Sequence, residues 1–205
     1  RQRQMCIRDR GRIRNVNQVV VKQEKSGYQI VEAYKSLRTN LQFCGEDKKV
    51  IAVTSCTPNE GKSSVSMQLG ISLAESGKRV ILIDADLRKS VLLGRTKTQK
   101  SVRGLAHFLS GQATLEDVIC STNVKNFYMI YSGPFPPNPA ELLGGKNFRS
   151  LLNALRKVYD YVIVDTPPLG SVIDSAIVAE ICDGSITVIE SGVISYRFAQ
   201  EVKSQ

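Results

Sequence analysis

The sequence predicts an α/β fold, a doubly wound and mostly parallel sheet flanked by helices. Short runs rich in apolar and β-branched residues recur along the chain. They are continuous rather than alternating, which is typical of strands buried on both faces of a parallel sheet. Segments with helical spacing lie between these runs, and such alternation indicates βαβ units. A chain of 205 residues is long enough for one domain with its own core.

The individual elements follow from these patterns. The strands are predicted at 50–55, 79–84, 127–131, 161–166 and 185–190. The helices are predicted at 30–43, 62–76, 147–158 and 173–182. Gly77 is expected to end the helix 62–76, because glycine is common just past a helix C-terminus. The segment 133–143, GPFPPNPAELL, reads as a loop that leads into a short helix.

The N-terminal end of the chain is predicted to lie outside the folded domain, and the C-terminal end is predicted to fall within it. Residues 1–14 contain six arginines and one aspartate without apolar periodicity, and they are expected to be a non-native or disordered basic head. Residues 15–29 are expected to form an N-terminal extension, and 30–205 a single domain. The chain stops at YRFAQEVKSQ, within a helical pattern that has no C-cap, which predicts a domain truncated at its C-terminus.

Composition excludes several function classes. The net charge of +9 falls to +4 without residues 1–14, and no cluster of Lys and Arg with aromatic residues is present, so no nucleic-acid partner is predicted. The five cysteines are odd in number and form no C-x-x-C pair, which favours reduced thiols in the cytosol. His107 is the only histidine, which excludes a His-rich metal centre. No apolar stretch approaches the ~18 residues of a membrane span.

The stretch 54–64, TSCTPNEGKSS, follows an apolar strand and opens a helix. Such a turn directs backbone N–H groups and the positive helix end at one point, where phosphate binds. Gly61 lets the backbone approach the phosphates, Lys62 reaches the β- and γ-oxygens, and the Ser63 hydroxyl can bind Mg²⁺. The strict pattern G-x-x-x-x-G-K-[ST] fails at Cys56, and a lone G-K-S also fits a turn followed by a solvated lysine. The predicted binding residues for ATP or ADP are Thr57, Pro58, Asn59, Glu60, Gly61, Lys62, Ser63 and Ser64.

Carboxylates mark two further strand ends. Asp84 and Asp86 are expected on one side at the carboxyl edge of the sheet, because Ala85 between them points the other way. A single aspartate here is also compatible with an N-cap of the next helix. Two carboxylates beside a phosphate loop favour metal or base chemistry. Asp165 ends another buried strand, where a carboxylate commonly holds the Mg²⁺ shell. The three strand ends therefore meet at the crevice where open α/β sheets bind ligands.

Together with EAYKSLRTNLQF, GPFPPNPAELL and YVIVDTPPLGSVIDSAIVA, these segments resemble the bacterial tyrosine kinases of capsule and exopolysaccharide synthesis, which belong to the P-loop NTPase superfamily. The resemblance runs from about Tyr28 to Gln205 in the same order and spacing. Its most specific parts are the Walker A, A′ and B motifs and the loop 133–143. Family members often have a residue other than glycine at the position of Cys56, and Pro58 supplies rigidity there.

The resemblance implies autophosphorylation on tyrosine with Mg-ATP, which regulates the synthesis and export of the polysaccharide. It implies that Lys62 grips the phosphates and that Asp84 accepts the tyrosine proton. It also implies that Ser63, Asp86 and Asp165 surround Mg²⁺, which makes Lys62, Asp84 and Asp86 the expected catalytic residues. The implied location is cytoplasmic, at the inner face of the plasma membrane through a membrane-embedded chain-length modulator that activates the kinase. The implied partners include other protein tyrosines and further copies of the chain in a ring.

Two departures from the family stand out. Its E-x-x-R-x-x-R helix, which joins subunits, reads Glu32, Lys35 and Arg38 here. Lysine cannot reproduce a bidentate guanidinium contact, so a weaker subunit contact is expected, and Glu32 and Lys35 alternatively pair within one helix. The family's C-terminal strand and tyrosine-rich tail are expected to be lacking. The seven tyrosines are dispersed, and several are expected in the core.

Two other functions remain open from the sequence. A partitioning or septum-positioning ATPase of the ParA/MinD type carries a second lysine five residues before the conserved one, where this chain has Thr57. A non-catalytic, nucleotide-gated scaffold of the polysaccharide machinery would use the same binding residues.

His107 is expected on a helix that packs near the sheet, and Cys56 is expected to be an inert small residue of the phosphate loop.

Overall fold

A computed structural model describes residues 17–21, 27–98, 102–195, 197, 198 and 200. The strands are β1 (Asn17–Val21), β2 (Val50–Ser55), β3 (Val80–Asp84), β4 (Thr96–Thr98), β5 (Ile119–Thr122), β6 (Phe127–Ile130), β7 (Tyr161–Asp165) and β8 (Gly184–Val188). The helices are α1 (Tyr28–Phe43), α2 (Lys62–Glu75), α3 (Leu105–Leu109), α4 (Leu115–Val118), α5 (Pro139–Gly144), α6 (Lys146–Arg156) and α7 (Asp174–Glu180). A 3₁₀ turn spans Leu93–Arg95.

These strands form one sheet in the order β4-β1-β5-β6-β3-β7-β2-β8. The five strands from β6 to β8 in that order pair in parallel, and so do β1 and β5. Antiparallel pairing is confined to β4 with β1 and β5 with β6. The mostly parallel, doubly wound fold is therefore confirmed. Because β3, β7 and β2 are parallel neighbours, their carboxyl ends share one edge of the sheet.

Each face of the sheet has its own hydrophobic core. On one face the strand residues pack against apolar side chains of α2, among them Leu69 and Leu73, and Leu41 of α1. On the other face they pack against α3, α6 and α7, including Phe148 and Val178. Residues in β2, β3 and β7 alternate between the two clusters, since successive side chains of a strand point to opposite faces. Burial on both sides explains why these strands read as continuous apolar runs.

The sheet is wider than the sequence predicts. The five predicted strands correspond to β2, β3, β6, β7 and β8. The bounds of β2 are as predicted, and those of the other four differ by one or two residues. β1, β4 and β5 are additional, and β1 lies within the segment expected as an N-terminal extension. β4 is a three-residue strand, TKT, and β5 reads ICST, so neither carries a strong apolar pattern. Their positions depend on pairing with β1 and β6 rather than on local propensity.

The expectations for the chain ends concern residues that the structure describes only in part. The basic head 1–14 and the end of the helical pattern, residues 201–205, lie outside the described residues. Among the helices that are described, none combines the length and apolar character needed to cross a bilayer.

The start of α3 packs tightly against the segment that follows β6. The backbone N–H groups of Leu105 and Ala106 donate to the carbonyl oxygens of Tyr131 and Ser132 at 2.6 and 2.9 Å. A Cβ atom at Gly104 would lie 2.5 Å from the Tyr131 carbonyl oxygen and closer still to the Gly133 nitrogen. Backbone atoms on both sides leave a larger residue no room.

We therefore expect Gly104→Ala to lower the free energy of unfolding by about 1–3 kcal/mol, the usual range for overpacking in a tight site. Chemical denaturation followed by circular dichroism measures this change. Gly94→Ala is the matched control, since a Cβ atom at Gly94 meets nothing within 4 Å. It should change the stability by less than about 0.5 kcal/mol. Equal stabilities of the two variants would contradict the close backbone approach.

Candidate active site

The phosphate loop 56–61 joins β2 to α2 in a conformation that depends on two left-handed residues. Asn59 has φ 69° and Gly61 has φ 84°. Gly61 is the residue just before α2. A Cβ atom built at Gly61 would meet no described atom within 4 Å, so the space beside the backbone is open. The first N–H groups of α2 have no partner within a helix and face an anion site at its N-terminus.

Glu60 fixes the shape of this loop from inside. Its side chain is buried, and its Oε2 accepts a 2.6 Å hydrogen bond from the Thr57 backbone N–H. Its Oε1 accepts a 3.4 Å hydrogen bond from the Glu190 N–H, just after β8. The Ser55 hydroxyl donates to the Thr57 carbonyl oxygen at 2.8 Å. The loop is thus tied to its own start and to the next strand.

Lys62 and Asp86 form an ion pair at the mouth of the loop. The Lys62 Nζ lies 3.3 Å from the Asp86 Oδ2, and both side chains are largely buried. The other carboxylate oxygen, Oδ1, accepts a 2.9 Å hydrogen bond from the Lys89 N–H. Lys62 also donates to the Ser63 hydroxyl at 3.4 Å. The predicted phosphate-binding lysine and a predicted metal ligand are therefore neighbours.

Asp165, at the end of β7, is buried beneath the first turn of α2. Its Oδ1 accepts a 3.0 Å hydrogen bond from the Ser66 hydroxyl. Burial raises the pKa of Asp165, while the Lys62 charge and hydrogen bonds from Ser63 and Ser66 partly offset that rise. The hydrogen bond with Ser63 brings together two of the residues that the sequence predicts as metal ligands.

Asp84 is the most deeply buried of the three carboxylates, at 0% exposure. It is the register partner of Asp165 across the β3–β7 pair. Ser90 donates a short hydrogen bond to its Oδ2. Its Oδ1 has no hydrogen-bond partner among the described residues. Burial, the charge of Asp165 and, more weakly, that of Asp86 raise the pKa of Asp84 to about 7, against the lowering effect of Ser90.

The structure brings together the predicted loop residues and the three predicted carboxylates, but it places the predicted oligomer helix elsewhere, on α1. There Lys35 pairs with Glu32 at 2.7 Å, the intrahelical alternative. Arg38 donates to the Ser72 carbonyl oxygen of α2 at 2.9 Å. In this chain Arg38 therefore holds α1 against α2.

Three residues make polar contacts in the site that the sequence did not predict: Ser66, Ser90 and Arg95. Ser66 lies one helical turn after Lys62, a spacing that would have signalled a shared helix face. Arg95 donates a hydrogen bond to the Ser64 hydroxyl, which brings a second cation to the phosphate loop. No sequence signal points to Arg95 or Ser90, because both contacts arise from the path of the chain after β3.

Two other residues have the structural roles expected for them. The His107 Nδ1 accepts a 3.2 Å hydrogen bond from the Gly104 N–H at the start of α3. Cys56 is 1% exposed, and burial together with the Glu60 charge raises its thiol pKa, which opposes the reactive thiolate form.

The donor set suits a magnesium–nucleotide complex rather than a metal held by side chains alone. In the described ranges, no group of three or more His, Cys, Asp and Glu side chains is arranged to bind a metal ion unaided. One hydroxyl and two carboxylates leave several positions of an octahedral Mg²⁺ shell for phosphate oxygens and water. The open space at Gly61 and the unpaired Asp84 oxygen fit a site that receives a ligand.

Comparisons with known proteins agree with this geometry. The AAA domain family model matches residues 48–197. The tyrosine-protein kinase CpsD of Streptococcus agalactiae is 44% identical over 174 residues, which cover 85% of this chain and 75% of that protein. The tyrosine-protein kinase YwqD of Bacillus subtilis is 39% identical over 174 residues, which cover 84% and 73%. The kinase domain of the Escherichia coli tyrosine kinase ETK superposes with a TM-score of 0.82 at 30% identity, covering 91% of this chain and 82% of that one.

A more distant likeness links the fold to the ParA/MinD type. The septum site-determining protein MinD complexed with Mg-ADP, from Pyrococcus horikoshii, superposes with a TM-score of 0.57 at 26% identity. The match covers 68% of this chain and 57% of that protein. The TM-score and the sequence identity are both lower than those for the ETK kinase domain.

We expect Lys62→Met to abolish the stabilisation of the protein by Mg-ADP. Nucleotide at a hundredfold above its dissociation constant stabilises the parental protein by roughly 2.7 kcal/mol. In a domain of this size that raises the melting temperature by about 5–10 °C. Thermal melts with and without Mg-ADP measure the shift. Lys157→Met, at an exposed lysine beyond α6, should keep it. A full increase in the melting temperature of Lys62→Met with Mg-ADP would contradict the assignment of Lys62 to phosphate binding.

We expect Arg95→Gln to weaken Mg-ADP binding by about fivefold, because an exposed cation near phosphates contributes on the order of 1 kcal/mol. The loss should shrink as salt is added, since screening removes the same attraction. Titration calorimetry at two salt concentrations measures both effects. Arg149→Gln, on the exposed side of α6, is the control. Binding unaffected by Arg95→Gln at low salt would show that the contact with Ser64 only packs the 3₁₀ turn.

Proposed function

The chain belongs to the bacterial tyrosine-protein kinases of the AAA domain family, and we propose that its phosphate loop and the adjacent carboxylates transfer the γ-phosphoryl group of ATP to a protein tyrosine. One observation carries the proposal. The Lys62–Asp86 pair, 3.3 Å apart, lies at the edge of the sheet where Asp84 and Asp165 are also buried. A cation for the phosphates, oxygen ligands for a metal and a separate carboxylate are the parts that phosphoryl transfer requires.

Nucleotide binding is assigned to the loop and the start of α2. Lys62 and the first backbone N–H groups of α2 would hold the phosphates, with the Ser64 hydroxyl at their side. Ser63, Asp86 and Asp165 would supply oxygen ligands to Mg²⁺. When bound, this ion neutralises charge on the phosphate oxygens. The protein then contributes mainly by positioning, since phosphoryl transfer demands little covalent chemistry of it.

Asp84 is assigned as the general base that accepts the phenolic proton of the acceptor tyrosine. Ser90 occupies one of its carboxylate oxygens and leaves Oδ1 unpaired in the described part of the chain. A pKa of about 7 suits a general base that works near neutral pH. As the tyrosine oxygen bonds to the γ-phosphorus, the bond to the β–γ bridging oxygen breaks and ADP leaves with the electron pair. The phenolic proton passes to the Asp84 Oδ1.

Two rival functions use the same geometry. A ParA/MinD-type ATPase would deliver the phosphoryl group to water, and Thr57 occupies the position of its second lysine. A nucleotide-gated scaffold would bind Mg-ATP without transferring phosphate. The higher similarity to the ETK kinase domain favours the kinase. The buried, unpaired Asp84 oxygen favours transfer over binding alone, because binding Mg-ATP requires no such group.

The biological setting is also part of the proposal. We infer that the chain phosphorylates tyrosines of further copies of itself and of other proteins, and that it thereby regulates the synthesis and export of a capsular polysaccharide or exopolysaccharide. It would act in the cytoplasm at the inner face of the membrane, through a membrane-embedded modulator. Its ring contact would involve α1 with Glu32, Lys35 and Arg38. The pairing of Lys35 with Glu32 supports a weak contact there.

The three aspartates should respond differently to substitution. We expect Asp84→Asn to bind Mg-ADP normally but to transfer phosphate to a tyrosine peptide about a hundredfold more slowly, the usual scale for a lost general base. Asp86→Asn and Asp165→Asn should instead weaken Mg²⁺-dependent nucleotide binding, because they remove charge from the metal ligands. Titration of Mg-ADP beside a rate assay for each variant separates the two effects.

Asp47→Asn, at an exposed aspartate before β2, is the control and should retain both properties. A near-parental transfer rate in Asp84→Asn would show that another group accepts the proton. Phosphate released to water at the same rate with and without the peptide would favour the ATPase. No release in either case, with intact Mg-ADP binding, would favour the scaffold.

A further inference from the structure

A groove of about 260 Å³ lies between Arg88, which follows the paired aspartates Asp84 and Asp86, and the proline-rich loop 133–143. It is lined by Arg88, Phe135 and residues 137–141, and is called the acceptor groove below. None of these residues belongs to the nucleotide site described above. Its volume is below the ~300–1,000 Å³ of pockets that enclose whole small molecules. It is therefore suited to one side chain rather than to a nucleotide.

The acceptor groove lies at the same edge of the sheet as the three carboxylates. Arg88 follows Asp86 by two residues along the chain. The proline-rich loop follows β6, which pairs in parallel with β3, the strand that ends at Asp84. Both walls of the acceptor groove therefore start from strand ends next to the proposed base.

The walls are held in place before any ligand arrives. Arg88 makes a two-pronged ion pair with Asp174, from Nε at 2.8 Å and from Nη2 at 3.0 Å, and Asp174 is fully buried. Four prolines between 134 and 139 restrict the opposite wall. Asn138 donates to Glu141 at 2.7 Å across the start of α5. Such preorganisation lowers the entropic cost of ordering a bound peptide.

The chemistry of the lining matches a phenol-bearing peptide. Phe135 is 63% exposed, a large apolar ring open to stacking by another aromatic ring. The Arg88 Nη1 donates no hydrogen bond within the described part of the chain. It is therefore available to a peptide carbonyl or to a phenolic oxygen. A groove with an exposed ring and a fixed guanidinium recognises an aromatic side chain with a polar end.

We propose that the acceptor groove binds the tyrosine-bearing segment of the protein substrate, with Phe135 stacking on the acceptor ring and Arg88 orienting the segment towards Asp84. The proposal rests on the kinase function given above and names the position of its second substrate. Phe135 is thus a binding residue for the acceptor and has no part in holding ATP.

The test uses the full chain, a short peptide with a single tyrosine, and the same peptide with phenylalanine in its place. We expect Phe135→Ala to raise the KM for the tyrosine peptide by about tenfold, the scale of a lost aromatic anchor. The KM for ATP and the affinity for Mg-ADP should stay within twofold. Phe135→Tyr keeps the ring and should restore the parental KM. Phe43→Ala removes a still more exposed ring at the end of α1, at 84% exposure, and should have no effect on the peptide KM.

A binding measurement makes the outcome independent of catalysis. In the presence of Mg-ADP, the phenylalanine peptide should bind the parental protein and compete with the tyrosine peptide but not with ATP, and Phe135→Ala should weaken that binding. An unchanged peptide affinity in Phe135→Ala, or an equal loss in Phe43→Ala, would overturn the acceptor groove. A parental protein that binds the peptide through Phe135 but transfers no phosphate would contradict the kinase function and leave the acceptor groove standing.

Discussion

The negative charge of Asp84, Asp86 and Asp165, buried together at the ends of β3 and β7, is the constraint around which the site is arranged. Like charges in a desolvated site raise one another's pKa unless cations or hydrogen-bond donors compensate. Lys62 pairs with Asp86, and Ser66 donates to Asp165. Ser90 donates to the Asp84 Oδ2, and a weaker backbone interaction with Ser132 also lowers the pKa of Asp84, while its Oδ1 has no hydrogen-bond partner among the described residues. In the proposed function, this uneven compensation leaves Asp84 to accept a proton and Asp86 and Asp165 to bind the metal.

This arrangement depends on elements from both faces of the sheet. On one face α2 brings Lys62 and Ser66 to the edge, and its apolar side packs on the strands. From the other face, the buried Asp174 at the start of α7 holds Arg88, two residues after Asp86. Glu60 adds a link from the phosphate loop to the backbone after β8. A loss of packing in either core would therefore displace donors at the carboxylate edge.

How far the sequence predicts the structure depends on the range of the interaction. Continuous apolar runs, the glycine at 61 before Lys62 and the paired aspartates after β3 are local signals, and they predict the central strands and the place of the candidate site. The sequence gives only weak strand signals for β1 and β4. Their positions depend on pairing with strands that are distant along the chain. Ser90 and Arg95 reach the site only because the chain after β3 turns back towards α2. No residue pattern encodes that path.

The separation of the nucleotide loop from the proline-rich loop has a consequence for specificity. In the proposed function, backbone N–H groups and Lys62 would bind the phosphates, and these groups do not distinguish one acceptor from another. An acceptor must therefore be selected by other surfaces. The loop after β6 is fixed by its prolines and by the hydrogen bonds that the Leu105 and Ala106 N–H groups donate to the carbonyl oxygens of Tyr131 and Ser132. Because this loop and Asp84 follow neighbouring parallel strands, the sheet would hold the proposed acceptor groove and the proposed base in fixed positions relative to each other. Substitutions in the loop can then change acceptor choice while the carboxylates and the phosphate loop keep their positions.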